Sequence, residues 1–208
     1  MTTPQHTTCV LVFARAPVAG ECKTRLIPAL GAQGAADLHA KLVRRALRSA
    51  CEASPARVEL WCTPSVDHPF FVACAKEFPI TLREQGEGNL GDRMFNAMEC
   101  ALGEHDAAIL IGSDIPALDV AYLREAIEAL REAPAVFGPA EDGGYVLVGL
   151  REARRSLFDG VAWGGPTVMA QTRERLEALH WRATELAPLW DVDRHGDLPR
   201  LAQLQDWD

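Results

Sequence analysis

Apolar residues follow two rhythms along this chain, and the alternation between them predicts its elements. Cys9-Val10-Leu11-Val12-Phe13-Ala14 is a nearly unbroken apolar run rich in β-branched residues, the pattern of a parallel strand buried on both faces. It predicts a central first strand. After a loop over residues 15–30, Leu38, Leu42, Ala46 and Leu47 recur at helical spacing to about Ala53. The strand rhythm returns over residues 57–63, a short helix follows over 68–78, and 79–82 predicts another short strand. Beyond the Gly-rich stretch 85–91, Met94, Met98 and Leu102 mark a helix, and 107–111 is the next buried strand. Asp119 predicts the N-cap of a helix with Val120, Leu123, Ile127 and Leu130 on one face.

Residues 135–138 and 144–150 both read as strands, with only 139–143 between them. That gap is too short for a helical crossover, so one of the two is expected to run antiparallel in a mixed sheet. The last third adds a helix through Val168, Thr172, Leu176 and Leu179, an edge strand near 184–186 and a last helix after Asp193. No repeat, linker or low-complexity tract interrupts the series. The expectation is one α/β domain over 1–208.

Composition narrows the function. At 208 residues, 48% hydrophobic and 24% charged, the chain can bury one sizeable core, which argues against disorder, collagen-like repetition and coiled coil. A net charge of −8 argues against a nucleic-acid partner, so any bound phosphate must be held by a local cluster of donors. Six cysteines form no C-x-x-C pair, residues 1–8 are polar, and no apolar run approaches the roughly 18 residues that span a bilayer. The expected setting is reducing and cytoplasmic, with no membrane partner.

In open α/β sheets ligands bind beyond the carboxyl ends of the strands. Three strand ends carry chemistry. The first, Arg15 to Leu26, gathers Arg15, Lys23 and Arg25 in a loop opened by Pro17 and Gly20, which reads either as an anion cradle or as a solvated basic loop. It is neither a G-x-G-x-x-G turn nor a P-loop. The second is Gly112-Ser113-Asp114-Ile115-Pro116. Asp114 is a hard oxygen ligand that can hold Mg2+ or Mn2+ against phosphate oxygens; the helix-capping role falls to Asp119. The third, Gly138-Pro139-Ala140-Glu141-Asp142-Gly143-Gly144-Tyr145, is either a tight turn or a site in which Asp142 binds a sugar hydroxyl, orients an acceptor or serves as a base while Glu141 faces solvent.

Trp190-Asp191-Val192-Asp193 alternates apolar and acidic residues, so Asp191 and Asp193 share a face and could complete a metal site with Asp114; Asp193 could equally cap the last helix. The segment from Gly86 to Met94 could embrace a base or sugar, and Trp163-Gly164-Gly165-Pro166 could supply an aromatic wall or a hydrophobic plug. The six histidines form no triad and no G-x-S-x-G elbow exists, so hydrolase readings lack support.

Taken in order, Ala16-Pro17-Val18 to Lys23-Thr24-Arg25-Leu26, Leu90-Gly91-Asp92-Arg93-Met94, Gly112 to Pro116, Gly138 to Tyr145 and Trp190 to Asp193 resemble a family of bacterial GT-A-like glycosyltransferases, partly associated with arsenosugar biosynthesis. More distantly, the layout is similar to guanylyltransferases of molybdenum-cofactor and phospholactate metabolism. The resemblance implies a three-layer αβα GT-A fold of the nucleotide-diphospho-sugar transferase type, with a mostly parallel mixed sheet. It implies a nucleotide near Ala14, Arg15, Lys23, Arg25, Gly91, Arg93 and Ser113, a metal on Asp114 and Asp193, and catalytic roles for Asp142 and Lys23. Arg15, Ala19, Gly165-Pro166 and His195-Gly196 depart from the family pattern, which bears on acceptor choice and phosphate contacts. The expected activity is transfer from a nucleotide-activated sugar to a small acceptor; nucleotidyl transfer with pyrophosphate release and non-catalytic nucleotide binding are the alternatives.

Overall fold

The first apolar run becomes β1 (Thr8–Arg15), whose side chains are buried on both faces as far as Ala14. In the computed structural model, which describes residues 6–204, it lies inside a seven-stranded sheet; residues 1–5, most of the polar opening segment, lie outside the described residues. Parallel neighbours flank it, β2 (Arg57–Thr63) on one side and β4 (Ala107–Gly112) on the other, and β3 (Thr81–Glu84) extends the sheet beyond β2. Beyond β4 come β6 (Tyr145–Leu150), β5 (Ala135–Pro139) and β7 (Ala183–Glu185). β6 pairs antiparallel with both β4 and β5, as the short 139–143 gap requires, and β7 is the edge strand beside β5. The result is a mostly parallel mixed sheet between helical layers, the expected αβα arrangement.

Pleating sends alternate β1 side chains to two separate cores. Val10 and Val12 pack with α1 (Ile27–Glu52), α2 (Pro69–Glu77) and α4 (Val120–Glu132), through Val43, Leu47, Phe71 and Leu123. Cys9, Leu11 and Phe13 face the other way, towards Met94 and Met98 of α3 (Leu90–Leu102) and Met169 and Leu176 of α5 (Val168–Ala178). A continuous apolar strand is therefore a demand of the layers on both sides, each buried aliphatic side chain contributing roughly 1.5–3 kcal/mol relative to exposure. Among the described residues no helix is long and apolar enough to cross a membrane. All six cysteines are free thiols, and burial pushes the Cys9 and Cys62 thiols up to about 12.

The structure corrects two boundaries. α1 begins at Ile27, well before the residues whose spacing announced it, and breaks at Gly31, where φ 71 and ψ 166 leave helical space. Pro28 in its first turn supplies the fixed φ that helix starts favour. The last helix is short, a 3-10 turn at His195–Asp197 followed by α6 (Leu198–Leu201). Leu201 joins Leu26 and Leu42 with Trp190 and Val192 in a small third core, which docks the C-terminal segment against the first loop and α1.

Asp119 caps α4, accepting from the Tyr122 backbone N–H at 2.8 Å. From that first turn the Tyr122 hydroxyl donates to the Ala187 carbonyl at 2.8 Å, fixing the stretch that leads from β7 to Asp191. Tyr122→Phe should cost about 1–2 kcal/mol in urea unfolding, because the carbonyl loses its partner without a change in packing.

Candidate functional site

Lys23 adopts a left-handed backbone, φ 46 and ψ 42, a conformation that costs a non-glycine residue on the order of 1 kcal/mol. The turn aims its side chain inward. Lys23 Nζ donates to Asp114 Oδ2 at 2.9 Å, and only 7% of the Lys23 side chain is exposed. His39, from α1, holds the start of the same loop: its Nε2 donates to the Arg15 carbonyl at 2.9 Å, which assigns the proton to that nitrogen. Burial lowers the His39 pKa, so the ring is neutral. Arg15, Lys23, Arg25, His39, Asp114 and Asp193 surround a cavity of about 350 Å³. Within it Arg25 donates to Asp193.

Asp114 sits just past β4. Its carboxylate lies deep in the crevice, yet 37% of the side chain still reaches solvent through the opening. Burial alone would raise its pKa; the charge and hydrogen bond of Lys23 outweigh that and hold the carboxyl below its usual range. The Asp114 carbonyl accepts from the Val192 N–H at 2.9 Å, drawing the C-terminal segment alongside. That segment is extended but unpaired as a strand. Trp190 and Val192 are buried, as their alternation implies, but the two acids part company: Asp191 lines the cavity shared by Asp114 and Asp142, whereas Asp193 lines the basic one.

Asp142 projects from the β5–β6 turn, where its Oδ1 accepts from the Gly144 N–H at 3.0 Å. Gly143 has φ 93, and a Cβ there would lie 2.1 Å from the Pro166 carbonyl oxygen. The turn therefore packs backbone to backbone against the loop that carries Trp163, an approach only glycine allows. Glu141 points outward and takes two bonds from Arg200, at 2.6 and 2.7 Å. A recess of about 450 Å³ shares Asp142 and Asp191 with one cavity and Arg25 and Asp193 with the other, so the three form one crevice.

The remaining expected residues are placed differently. Ala14 is buried, and its carbonyl accepts from Gln85 Nε2 at 3.3 Å. Gln85 also donates to the Trp61 carbonyl at 2.9 Å and accepts from Arg93 Nη1 at 3.1 Å, so Ala14 and Arg93 are joined through a side chain at the start of the Gly-rich stretch 85–91. Ser113 is buried. Gly91 lies under Trp163, where a Cβ would come within 2.6 Å of the indole nitrogen; its smallness seats the indole. Trp163 thus serves both as packing and as cavity wall. His39 went unnoticed because it falls among the apolar positions of α1, where a lone histidine reads as core.

A family described as "Uncharacterized protein conserved in bacteria (DUF2064)" has a sequence pattern that matches residues 42–165. The chain belongs to this family. No curated protein matches it by sequence. Among solved structures, a provisionally assigned nucleotide-diphospho-sugar transferase from Desulfovibrio desulfuricans G20 is similar over 98% of this chain and 90% of that one, with 28% identity and a TM-score of 0.87. CMP:2-keto-3-deoxy-manno-octonic acid synthetase, solved with CTP, shares the fold at 12% identity over 94% of this chain and 96% of that one, TM-score 0.59. A Mycobacterium tuberculosis H37Rv protein solved with manganese does so at 14% identity over 95% and 100%, TM-score 0.55.

In this DUF2064 member, burial and the charges of Asp114 and Asp142 push Asp191 up to about 6. A carboxyl raised on folding favours the folded state least once it is ionised, so the penalty is absent below pH 3.8 and complete above about 6. Asp191→Asn should therefore gain about 1–2 kcal/mol over the parent at pH 7.5, less than the full shift implies because solvent screens a half-buried carboxyl, and nothing at pH 3.5, as read from denaturant midpoints at the two pH values. Gly143→Ala should lose about 1–3 kcal/mol in the same assay, since the turn must leave its φ and back away from Pro166.

Proposed function

We propose that the chain is a metal-assisted transferase acting on a nucleotide-activated sugar, working as a single GT-A-like domain in the cytoplasm. The observation that carries this reading is the double ion pair between the first loop and the strand-end acids, Lys23 with Asp114 and Arg25 with Asp193. Both cations come from the segment read as an anion cradle, and both carboxylates are the expected metal ligands. A diphosphate arriving with a divalent ion permits an exchange of partners that conserves charge: Lys23 and Arg25 turn to phosphate oxygens, and Asp114 and Asp193 are freed to hold the ion.

The donor set fits such an ion. Among the described residues no three His, Cys, Asp or Glu side chains form a closed metal site, and hard ions on nucleotides need only one or two carboxylates, with phosphate and water supplying the rest. When bound, the ion offsets the negative charge that grows on the departing phosphate. Lys23, held by its left-handed turn, offers a second positive charge at the same place. Asp142, on the far side of the crevice, is positioned to orient the acceptor and take its proton. The assignment of the Desulfovibrio protein supports sugar transfer, and the manganese-bound fold relative supports the metal. Nucleotidyl transfer is the second reading, favoured by the CTP-bound relative.

Calorimetry with UDP, GDP and CDP, with and without Mn2+, tests the core of this reading. At least one nucleotide should bind more tightly with metal, and Asp114→Asn should abolish the gain; an undiminished gain in that variant removes Asp114 from the metal site. Asp142→Asn should reduce turnover by about 10²-fold or more with little change in nucleotide affinity. Pyrophosphate release from any of the four nucleoside triphosphates would replace sugar transfer by nucleotidyl transfer.

A further inference from the structure

The cavity on the far side of Asp114, about 210 Å³, takes no part in the exchange at Lys23 and has a composition of its own. Its apolar side includes Met94, Val146 and Val168, and Trp163 and Tyr145 meet there edge to face, ring centres 6.0 Å apart. Three charged side chains line it, Asp114, Asp142 and Asp191, all of one sign; no lysine or arginine reaches its wall. Asp191 makes no ion pair with any described residue, and Asp142 keeps one carboxylate oxygen free after its bond to Gly144. The Tyr145 hydroxyl has no hydrogen-bond partner among the described residues, and burial raises its pKa, so it stays a neutral donor.

Those walls specify an occupant. Ionised carboxylates only accept hydrogen bonds, so a ligand seated against them must bring donors. A ring with a C–H face and several hydroxyls supplies both halves of the match, since its apolar face covers the indole while its hydroxyls donate to Asp142 and Asp191. A carboxylate or phosphate on the same ring brings no donor and faces two like charges without a cation, Asp142 and Asp191, since Asp114 is already met by Lys23.

We propose that this cavity takes an uncharged, hydroxyl-bearing ring, a neutral sugar or cyclic polyol, and excludes its carboxylated and phosphorylated counterparts. The inference rests on the reading that the nucleotide lies on the Lys23 side, and it names the chemical class of the group bound opposite.

The test uses the whole chain labelled with 15N and sets of rings that differ only in charge: glucose, glucuronate and glucose 6-phosphate; galactose, galacturonate and galactose 6-phosphate; myo-inositol and inositol 1-phosphate. The Trp163 indole N–H resonance, assigned by its loss in Trp163→Phe, is followed in titrations with and without UDP and Mn2+. At least one neutral ring should shift it, and its anionic partners should bind at least about tenfold more weakly. In the double variant Asp142→Asn, Asp191→Asn, checked for folding by circular dichroism, that ratio should fall to about threefold or less. An anionic ring that binds as well as its neutral partner overturns the proposal, as does failure of every neutral ring to move the indole. Nucleotide calorimetry run in parallel separates the two readings: nucleotide binding with no neutral ring bound sinks this inference alone, while ring binding without any nucleotide sinks the nucleotide reading.

Discussion

The crevice depends on one ion pair. A carboxylate at the end of a central strand, walled by apolar residues, is costly to hold unless a cation meets it, and Lys23 meets Asp114 at 2.9 Å from a backbone conformation that is itself unfavourable. The contact fixes the first loop on β4. The Asp114 carbonyl holds Val192 in turn, so a single residue after a strand organises the loop from the start of the chain and the segment towards its end. Removing the acid would leave a buried ammonium and a slack loop; removing the lysine would leave the acid to protonate. Stability and chemistry are therefore drawn from the same pair.

The sheet decides what else can gather there. Parallel strands deliver their carboxyl ends to one edge, which places Arg15, Asp114 and the end of β5 together without special pleading. The reversed strand β6 adds its amino end, Tyr145, to the same edge, so the β5–β6 turn delivers Asp142 opposite Asp114. The third core then packs Trp190 and Val192 against Leu26 and Leu42, sending Asp191, between them, and Asp193, just after, to different cavities. One extended stretch thus serves both sides of the crevice.

Much of this was legible in the sequence, for identifiable reasons. Strands buried on both faces leave unbroken apolar runs, and the five named from those runs, together with the short 139–143 gap, gave the sheet its composition and its reversed member. The Asp119 cap was legible because capping is local. What escaped was non-local. Nothing in the spacing says that residue 23 pairs with 114 or 25 with 193, nor that Gln85 bridges the Ala14 carbonyl and Arg93. The start of α1 was missed because Gly31 interrupts its periodicity. Nor does the spacing say that Gly91 lies under the indole of Trp163, seventy-odd residues further along the chain.

The β5–β6 turn has a consequence for how such a protein can change over generations. Asp142 reaches its cavity from this turn, while Lys23, Arg25 and Asp114 belong to other elements. The turn closes on itself through the Ala140 and Gly144 backbone and touches its neighbour chiefly through main-chain atoms. Gly143 apart, the exposed side chains at Glu141 and Asp142 can vary without disturbing the sheet. On the proposed reading, a change in what is bound can thus proceed inside one hairpin while Lys23 and Asp114 keep their pairing.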